Sequence, residues 1–477
     1  MKAPFSPYLT QMAPGLKALV AQLSARYDAL SLLGADSLGF SVRVSPHAVS
    51  VSTETLFTER GFVLRVRRDG LYSEYSFNRF DPAHPETTAQ EAIAALDAQL
   101  AMLRNAGVAV YPTPPLPDPE RTLLVEMETE RLPEEEDLPA LVERLSTLSR
   151  EGMEKGQAMA DCLLRASSTH VSKLFLTPNQ DLRQSYVFSE GSVLAVCQKD
   201  GRSETGYTGI SGRKGPELFE GMPRALDEAL AGAADLLRAT PVEPGEYEII
   251  ADPEVAGLIA HEAFGHGVEM DMFVKRRALG AEYIGQRVAS DLVSMHEGAL
   301  CAQSVAAYAF DDEGTPAGDV TEIERGILRT GICDALSALR LGTTPTGNGK
   351  RQSFEHKVYT RMTNTLFDAG EDTLEAMIAS VRHGYLLRGV SSGMEDPKHW
   401  GIQCIVQRGY EIVDGKLTGR VIAPVVLTGY VPDLLGSISM VSRDRGVFGT
   451  GCCGKGTKEW VKVADGGPYL KARAMLG

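Results

Sequence analysis

The chain has 477 residues, of which 43% are hydrophobic and 23% are charged, which is close to the composition of an average globular protein. This length exceeds what a single hydrophobic core usually serves, so we expect two domains. The formal net charge is -15. Because binding to phosphate backbones draws on clustered Lys and Arg, we expect no direct contact with nucleic acid. The sequence contains no run of 18 apolar residues and no signal peptide pattern, which predicts a cytoplasmic protein without membrane segments.

The first half mixes helical and strand patterns. Apolar residues from Leu16 to Leu30 recur at helical spacing and predict an amphipathic helix. Residues 37–77 alternate polar and apolar side chains around an Asp69-Gly70 turn, which predicts antiparallel strands. We therefore expect an α+β N-terminal domain over residues 1-240. Further elements are predicted as a helix from about Thr87 to Ala106, a proline-rich surface loop over 112–119, strands over about 169–206 and a helix over about 216–238.

The segment from Thr240 to Gly245 contains two prolines and a glycine, which is typical of a domain boundary. We expect a C-terminal domain over residues 241-477, mostly antiparallel β with one metal-bearing helix. Residues 402–430 predict strands joined at an Asp-Gly turn. A further helix is predicted from Leu374, ending at Gly384.

A metal-binding motif follows the predicted boundary. Asp252 and Pro253 signal the start of a helix, and this helix carries His261, Glu262 and His266 in the pattern H-E-x-x-x-H. Zinc peptidases commonly place two histidines four residues apart on one helix, with a glutamate as the base. The residues therefore indicate a zinc site with Glu262 as the catalytic group. The alternative is that the two histidines are ordinary and their spacing is accidental.

The spacing of five residues makes a structural demand. In a regular α-helix the two rings would diverge by about 140° and would not share one ion. A π-bulge of one residue brings such positions back onto one face, and such bulges occur at functional sites. We therefore predict an irregular turn between Glu262 and His266, with Gly265 as its flexible point. A straight helix would contradict the metal assignment.

The third ligand is expected from a glycine-rich segment, GVFGTGCCGKG. The chain has seven cysteines without a disulfide-like pattern, and Cys452 and Cys453 lie among glycines that allow close backbone approach to an ion. Neighbouring residues of an extended strand point in opposite directions, so only one of the two should bind. The alternative is a pair of buried reduced thiols. The G-x-G-x-x-G within this segment lacks the following helix of a dinucleotide site.

Five segments together resemble one known family. They are HEAFGHGVEMD, GNGKRQSF, RMTNT from Arg361, SISMV from Ser437, and CCGK from Cys452. In this order they are similar to the TldD/PmbA family, also called modulators of DNA gyrase, and in particular to its metal-bearing TldD-type members. The resemblance is specific over about residues 245–477 and looser before them.

The resemblance implies a metallopeptidase of the H-E-x-x-x-H type with a cysteine as third ligand. Its ligands to Zn2+ would be His261, His266 and Cys453, which selects Cys453 over Cys452, and its catalytic base would be Glu262. Such an enzyme would hydrolyse peptide bonds of short or unfolded peptides through a metal-activated water. The partners implied are the peptide substrate and either a second copy, in a homodimer, or a related metal-free family member, in a heterodimer.

Two other classes of function remain as alternatives. The chain could be a non-catalytic scaffold subunit, or a regulator of a DNA-associated protein. Glu269 and Asp271 are candidates for orienting the histidine rings, or else solvent-facing carboxylates of a helix. Thr363, Asn364 and Thr365 would form either a polar wall beside the substrate or the turn at the end of a strand.

Overall fold

The computed structural model describes residues 1–105, 111–457 and 459–477. Within these ranges the fold is α+β and is built around two large sheets. All strands of the first sheet precede Thr240, and all strands of the second follow it. The division into domains at residues 240 and 241 stays a prediction.

The first 240 residues form an eight-stranded sheet with helices packed on it. In chain order the elements are α1 (Pro7–Ser24), β1 (Ala29–Val44), β2 (Val49–Ser52), β3 (Arg60–Arg68), β4 (Leu71–Phe77), α2 (Pro85–Asn105), β5 (Arg121–Glu126), a 3-10 helix (Pro133–Glu135), α3 (Leu138–Lys155), β6 (Met159–Leu176), β7 (Gln180–Lys199), β8 (Arg202–Gly212), a 3-10 helix (Pro216–Gly221) and α4 (Met222–Leu237).

The strand order of this sheet is β4-β3-β1-β6-β7-β5, with β2 paired to β1 and β8 paired to β7. All pairs are antiparallel except β5 with β7. Helices α1 and α2 cover one apolar cluster of the sheet, and α3 and α4 cover another. Amphipathic helices bury their apolar stripe against a sheet in this way because neither element can bury its own apolar face alone.

The predicted strands around Asp69-Gly70 are confirmed. The first helix was placed wrongly at both ends. It begins at Pro7, where the Ser6 hydroxyl accepts a hydrogen bond from the Leu9 amide, and it ends at Ser24. Leu30 is buried as a residue of β1 instead, because strands also bury apolar side chains at short intervals. The predicted end of the second helix, Ala106, lies outside the described residues.

The second half forms an eleven-stranded sheet with short helices. Its elements are β9 (Gly245–Ala251), α5 (Pro253–Ala260), a π-helix (His261–Gly265), a 3-10 helix (His266–Val268), α6 (Met270–Val274), a 3-10 helix (Leu279–Glu282), β10 (Met295–Glu297), β11 (Val320–Glu324), β12 (Ile327–Leu328), α7 (Ala335–Leu341), β13 (Gly349–Lys350), β14 (Tyr359–Thr360), β15 (Asn364–Phe367), α8 (Leu374–Ala379), β16 (His383–Asp396), β17 (Gly401–Val413), β18 (Lys416–Ile422), β19 (Val425–Tyr430), α9 (Val431–Gly436), β20 (Met440–Phe448), β21 (Cys452–Lys455), β22 (Glu459–Lys462) and β23 (Ala464–Leu476).

The order of the large sheet is β12-β11-β10-β15-β23-β19-β17-β16-β9, with β18 paired to β17 and β20 paired to β23, and β23 also pairs with β9. Strands β13 and β14, and strands β21 and β22, form two separate two-stranded sheets. Most pairs are antiparallel, while β15 with β23 and β16 with β9 are parallel. Helix α8 ends at Ala379, so the prediction that it ends at Gly384 was wrong. Gly384 lies in β16, where a Cβ atom would come within 2.0 Å of the Glu248 carbonyl oxygen. Close strand pairing, rather than a helix cap, explains this glycine.

The two halves meet through a buried set of charged side chains that we call the interface network, namely Arg65, Glu74, Lys173, Asp312 and Glu313. Arg65 forms ion pairs with Glu74, at 2.7 Å, and with Glu313. Lys173 forms an ion pair with Asp312. Arg65, Glu74 and Lys173 belong to the first sheet, and the two remaining acids lie between β10 and β11. Each charge of the network therefore has a partner across or beside the contact between the halves.

Candidate metal centre

The chain turns sharply at the end of α5. The Asp252 side chain accepts a hydrogen bond from the Val255 amide at 2.9 Å, which starts the helix as predicted. After Ala260 the helix continues as a π-helix, His261–Gly265, and then as one 3-10 turn. The predicted irregular turn is confirmed. It brings the His261 and His266 rings to 5.2 Å between centroids, nearly perpendicular at 87°.

Gly265 is the point at which the π-turn touches its neighbour. A Cβ atom at this position would lie 2.1 Å from the Met362 sulfur, and Met362 is fully buried. Because a side chain atom cannot approach that closely, only glycine fits without a shift of the surrounding core. The glycine therefore serves close packing of the π-turn.

Cys453 approaches the two histidines from a separate hairpin. Strands β21 and β22 pair with Cys453 opposite Val461, and the Arg361 guanidinium donates to the Cys453 carbonyl at 2.6 Å. The Cys453 sulfur lies 3.4 Å from His266 Nε2. One ligand atom from each of His261, His266 and Cys453 falls within 4.8 Å of the other two.

The chemistry of these three groups fits a zinc ion. Zinc takes imidazole nitrogen and thiolate sulfur, and catalytic sites supply three such ligands. His261 Nδ1 is buried without a hydrogen-bond partner among the described residues, which is unusual for a polar atom. Burial raises the pKa of the Cys453 thiol, but the adjacent His266 and His261 lower it well below its usual value overall. The sulfur is therefore disposed to be a thiolate, the form that binds metal.

A cavity of about 1140 Å³ opens beside the three groups and is lined by Glu262 as well. A Cβ atom at Gly393 would come within 2.6 Å of Glu262 Cγ, so strand β16 passes close behind this carboxylate. The two residues that follow Glu262 in sequence, Ala263 and Phe264, are buried. The π-turn thus directs Glu262 into the cavity while it buries its apolar neighbours.

The cavity also contains carboxyl groups that the sequence analysis did not select as site residues. They are Glu254, Glu395 and Asp465. Burial raises the pKa of Glu395 to about 9 and that of Asp465 to about 6. Glu254 lies in the first turn of α5, and the other two lie in strands far from the motif. Their positions depend on strand pairing, which a local pattern does not reveal.

Comparison with known proteins identifies the fold and the family. Residues 244–475 match the model of the PmbA/TldA metallopeptidase C-terminal domain. The chain is 32% identical over 281 residues to the metalloprotease MJ0996 of Methanocaldococcus jannaschii, a match that covers 59% of this chain and 61% of the relative. This part of the chain, residues 244–475, belongs to the TldD/PmbA family. Its matched part spans less than two thirds of the length of this relative.

Two further members of the comparison are informative. The zinc metalloprotease TldD homolog of Saccharolobus solfataricus is 30% identical over 246 residues, covering 50% of this chain and 53% of the relative. The crystal structure of TldE from Thermococcus kodakarensis superposes with a TM-score of 0.76 at 20% identity, covering 97% of this chain and all of that one. The latter likeness shows the fold alone.

The residues matched by the family model include the four predicted site residues, His261, Glu262, His266 and Cys453. They also include Glu269, whose Oε2 atom lies 3.1 Å from His266 Nδ1. Burial raises the pKa of Glu269, but Lys455 and His266 together lower it to about 2. An ionised Glu269 is therefore placed to orient the His266 ring. Asp271 instead accepts hydrogen bonds from Lys455 and Lys275, at 2.7 and 3.0 Å.

The Thr363 to Thr365 segment does not line the cavity of the TldD/PmbA centre described above. All three residues are buried, and Thr363 and Thr365 donate to the Glu297 carboxylate at 2.6 Å. Asn364 donates to the Gly298 carbonyl at 2.9 Å. The segment therefore fixes a buried glutamate of β10 and starts strand β15. It forms neither of the two arrangements expected from the sequence.

No helix within the described ranges is long and apolar enough to cross a bilayer.

All seven cysteines are free thiols.

Proposed function

We propose that this chain is a zinc-dependent peptidase that hydrolyses peptide bonds of short or unfolded peptides. The observation that carries the proposal is the convergence of His261, His266 and Cys453 within 4.8 Å, at a cavity that Glu262 also lines. The names of the relatives, metalloprotease and zinc metalloprotease, support the same conclusion.

In this proposal His261, His266 and Cys453 hold one zinc ion. When bound, zinc polarises a peptide carbonyl and makes a nearby water more acidic. Glu262 takes the proton from the attacking water and passes it to the leaving amine. Glu269 keeps the His266 ring oriented through the contact at Nδ1, which leaves Nε2 facing Cys453.

The shape of the cavity supports an extended substrate. Its volume of about 1140 Å³ exceeds the usual size of a pocket for a small ligand. Strand β16 and residues 450–456 form part of its wall. A peptide in extended form can enter such a cleft, whereas a folded protein would first have to unfold locally. The chain would pair with a second chain of the same fold, either an identical copy or a metal-free relative, as the family resemblance implies. A cytoplasmic location stays a prediction.

Metal analysis and a cleavage assay test the proposal together. Purified protein should contain one zinc ion per chain and should cleave a disordered peptide in a reaction that a chelator stops. Glu262→Gln should retain zinc and lose about 10²- to 10⁴-fold in kcat. His261→Ala, His266→Ala and Cys453→Ala should lose zinc, while Cys452→Ser, the matched control, should keep it.

Two results would contradict the proposal. Undiminished turnover in Glu262→Gln would show that this residue is not the base. Absence of zinc together with absence of chelator-sensitive cleavage would favour a scaffold subunit or a regulator of a DNA-associated protein.

A further inference from the structure

A second cavity, of about 450 Å³, lies on the first sheet next to the cavity of the metal centre. We call it the arginine pocket. Its floor is formed by strands β1, β6 and β7, and its rim by residues that follow β2. Its lining includes the charged residues Arg43, Glu54, Arg165 and Glu190, and the hydroxyl-bearing residues Tyr207 and Thr450.

Two arginines face each other in this pocket. Arg43 of β1 is directly opposite Arg165 of β6 in the strand register. Like charges in directly opposed positions destabilise a sheet. Neither arginine forms an ion pair with any residue in the described part of the chain. Both arginines are exposed, so solvent screens much of their repulsion. The pocket thus offers two unpaired positive charges to a ligand in a protein whose net charge is -15.

The acidic residues of the pocket do not neutralise this pair. Glu190 is engaged by Lys462 in an ion pair and by the Ser167 hydroxyl at 3.4 Å. Glu54 lies on the exposed rim, and no described cation lies within ion-pair distance of it. The unpaired charges of the pocket are therefore those of Arg43, Arg165 and Glu54, which leaves an excess of positive charge.

The arginine pocket adjoins the metal centre directly. Tyr207 and Thr450 line both cavities, and the Tyr207 hydroxyl donates to Thr450 Oγ1 at 3.1 Å. Strand β8 packs closely against Thr450, because a Cβ atom at Gly209 would lie 2.7 Å from the Thr450 side chain. Thr450 precedes Cys453 by three residues, and three extended residues span about 10 Å. A peptide in the cleft reaches the pocket within a few residues of the metal centre.

We propose that the arginine pocket binds a carboxylate of the peptide substrate, about three to five residues away from the cleaved bond. The proposal rests on the proposed peptidase function and names a class of substrate for it, namely peptides with an acidic group at that distance. A carboxylate accepts hydrogen bonds from guanidinium groups in a favourable planar geometry. It also offsets the part of the repulsion between the two arginines that solvent does not screen.

Peptides that differ at one position test this proposal. In a disordered peptide with a mapped cleavage site, Asp, Asn and Lys are placed in turn at each position within six residues of the cut. The position that reaches the pocket should favour Asp over Asn by about tenfold or more in kcat/KM, chiefly through KM, because hydrogen bonds to charged groups contribute more than neutral ones. Free and amidated C-termini distinguish an acidic side chain from a terminal carboxylate as the source.

Variants of the pocket assign the preference to the two arginines. Arg43→Gln/Arg165→Gln should abolish the preference for Asp, and Arg165→Glu should shift it toward Lys. The control is Arg224→Gln, which removes one positive charge from an exposed position of α4. The double variant should melt at the wild-type temperature or above it, because the opposed charges are gone.

Equal kcat/KM for Asp, Asn and Lys at every position would overturn the proposal, as would a preference that survives in the double variant. Binding separates this result from a failure of the peptidase function. Fluorescence anisotropy with labelled Asp and Asn peptides needs no turnover. If no peptide is cleaved, tighter binding of the Asp peptide to wild type than to the double variant still supports the pocket, and equal binding overturns it.

Discussion

The interface network and the metal centre both bury charged residues, but they treat them in opposite ways. In the interface network each charge has a partner. Asp312 pairs with Lys173 and accepts a backbone hydrogen bond from Arg351 at 2.9 Å, and Glu313 pairs with Arg65 and accepts one from Ala335 at 2.7 Å. Charges that are paired and hydrogen-bonded in this way hold the two halves in one arrangement.

At the metal centre several polar atoms lack partners. His261 Nδ1 and both carboxylate oxygens of Glu395 are buried with no hydrogen bond from the described residues. An unpaired buried polar group costs about 1–3 kcal/mol. The two regions therefore differ in one respect: the interface network pairs its charged groups, whereas the metal centre leaves polar atoms without partners among the described residues, as do some other buried sites such as Glu322.

The largest expected effect comes from breaking the interface network. Asp312→Ala removes the carboxylate that pairs with Lys173 and, at 3.7 Å, with Lys350, and all three side chains are largely buried. We expect the free energy of unfolding to fall by about 3–5 kcal/mol, measured by urea denaturation. As a control, Lys173→Met/Asp312→Leu removes the charges of this ion pair and should recover part of the loss, since Lys350 still lacks the Asp312 carboxylate. A single variant as stable as wild type would show that the pair does not support the fold.

How far the sequence predicted the centre depends on the range of the pattern involved. The helix start at Asp252 and the π-turn between Glu262 and His266 follow from local rules, since capping and helical periodicity act within a few residues. The contact with Cys453 is not local. From the residues alone Cys452 and Cys453 were equal candidates, and the family resemblance selected Cys453. In the structure the Cys453 sulfur, on the β21–β22 hairpin, lies near His266.

Long-range pairing also explains what was missed. Glu395 and Asp465 enter the cavity because β16 and β23 are neighbours of α5, and strand order is not encoded in the periodicity of any one strand. Likewise, Thr363 and Thr365 were assigned without knowledge of Glu297, which meets them across the β10 and β15 pair. Local signals predicted most elements of the fold, while contacts between distant elements required the structure.

The next effect is the stabilisation of the metal centre by zinc. If His261, His266 and Cys453 bind the ion, zinc at about 100 times its dissociation constant should add about 2.7 kcal/mol to the free energy of unfolding. The same gain is expected in Glu262→Gln and none in Cys453→Ala. Urea denaturation with zinc and with chelator measures this. An equal gain in Cys453→Ala would place the ion elsewhere.

A smaller loss is expected when the π-turn is overpacked. Gly265→Ala forces the buried Met362 side chain to move, and overpacking of a core typically costs about 1–3 kcal/mol. We expect the variant to be less stable and to bind zinc more weakly, since the turn aligns His261 with His266. Gly436→Ala is the matched control because nothing lies within 4 Å of its added Cβ atom. If both variants behave alike, the π-turn tolerates a side chain and its glycine serves no packing role.

The last effect concerns a carboxyl group of the cavity and depends on pH. Burial, together with the neighbouring Asp252 and Asp465, raises the pKa of Glu254 from 4.5 to about 8. The folded chain therefore holds a proton that the unfolded chain releases above about pH 4.5. The stability that this proton contributes is complete below that pH and is lost as the pH rises toward 8.

Glu254→Gln lacks this titration but keeps a similar shape. Its stability relative to wild type should increase between pH 4.5 and 8, by at most about 1.4 kcal/mol per pH unit. Urea denaturation at pH 5, 6.5 and 8 with chelator present measures the difference without a change in metal occupancy. Glu143→Gln, at a position 75% exposed, controls for the loss of one charge. A difference that stays constant across the range would mean that Glu254 is ionised in the folded protein, and the unpaired carboxyl groups of the cavity would then be as well accommodated as those of the interface network.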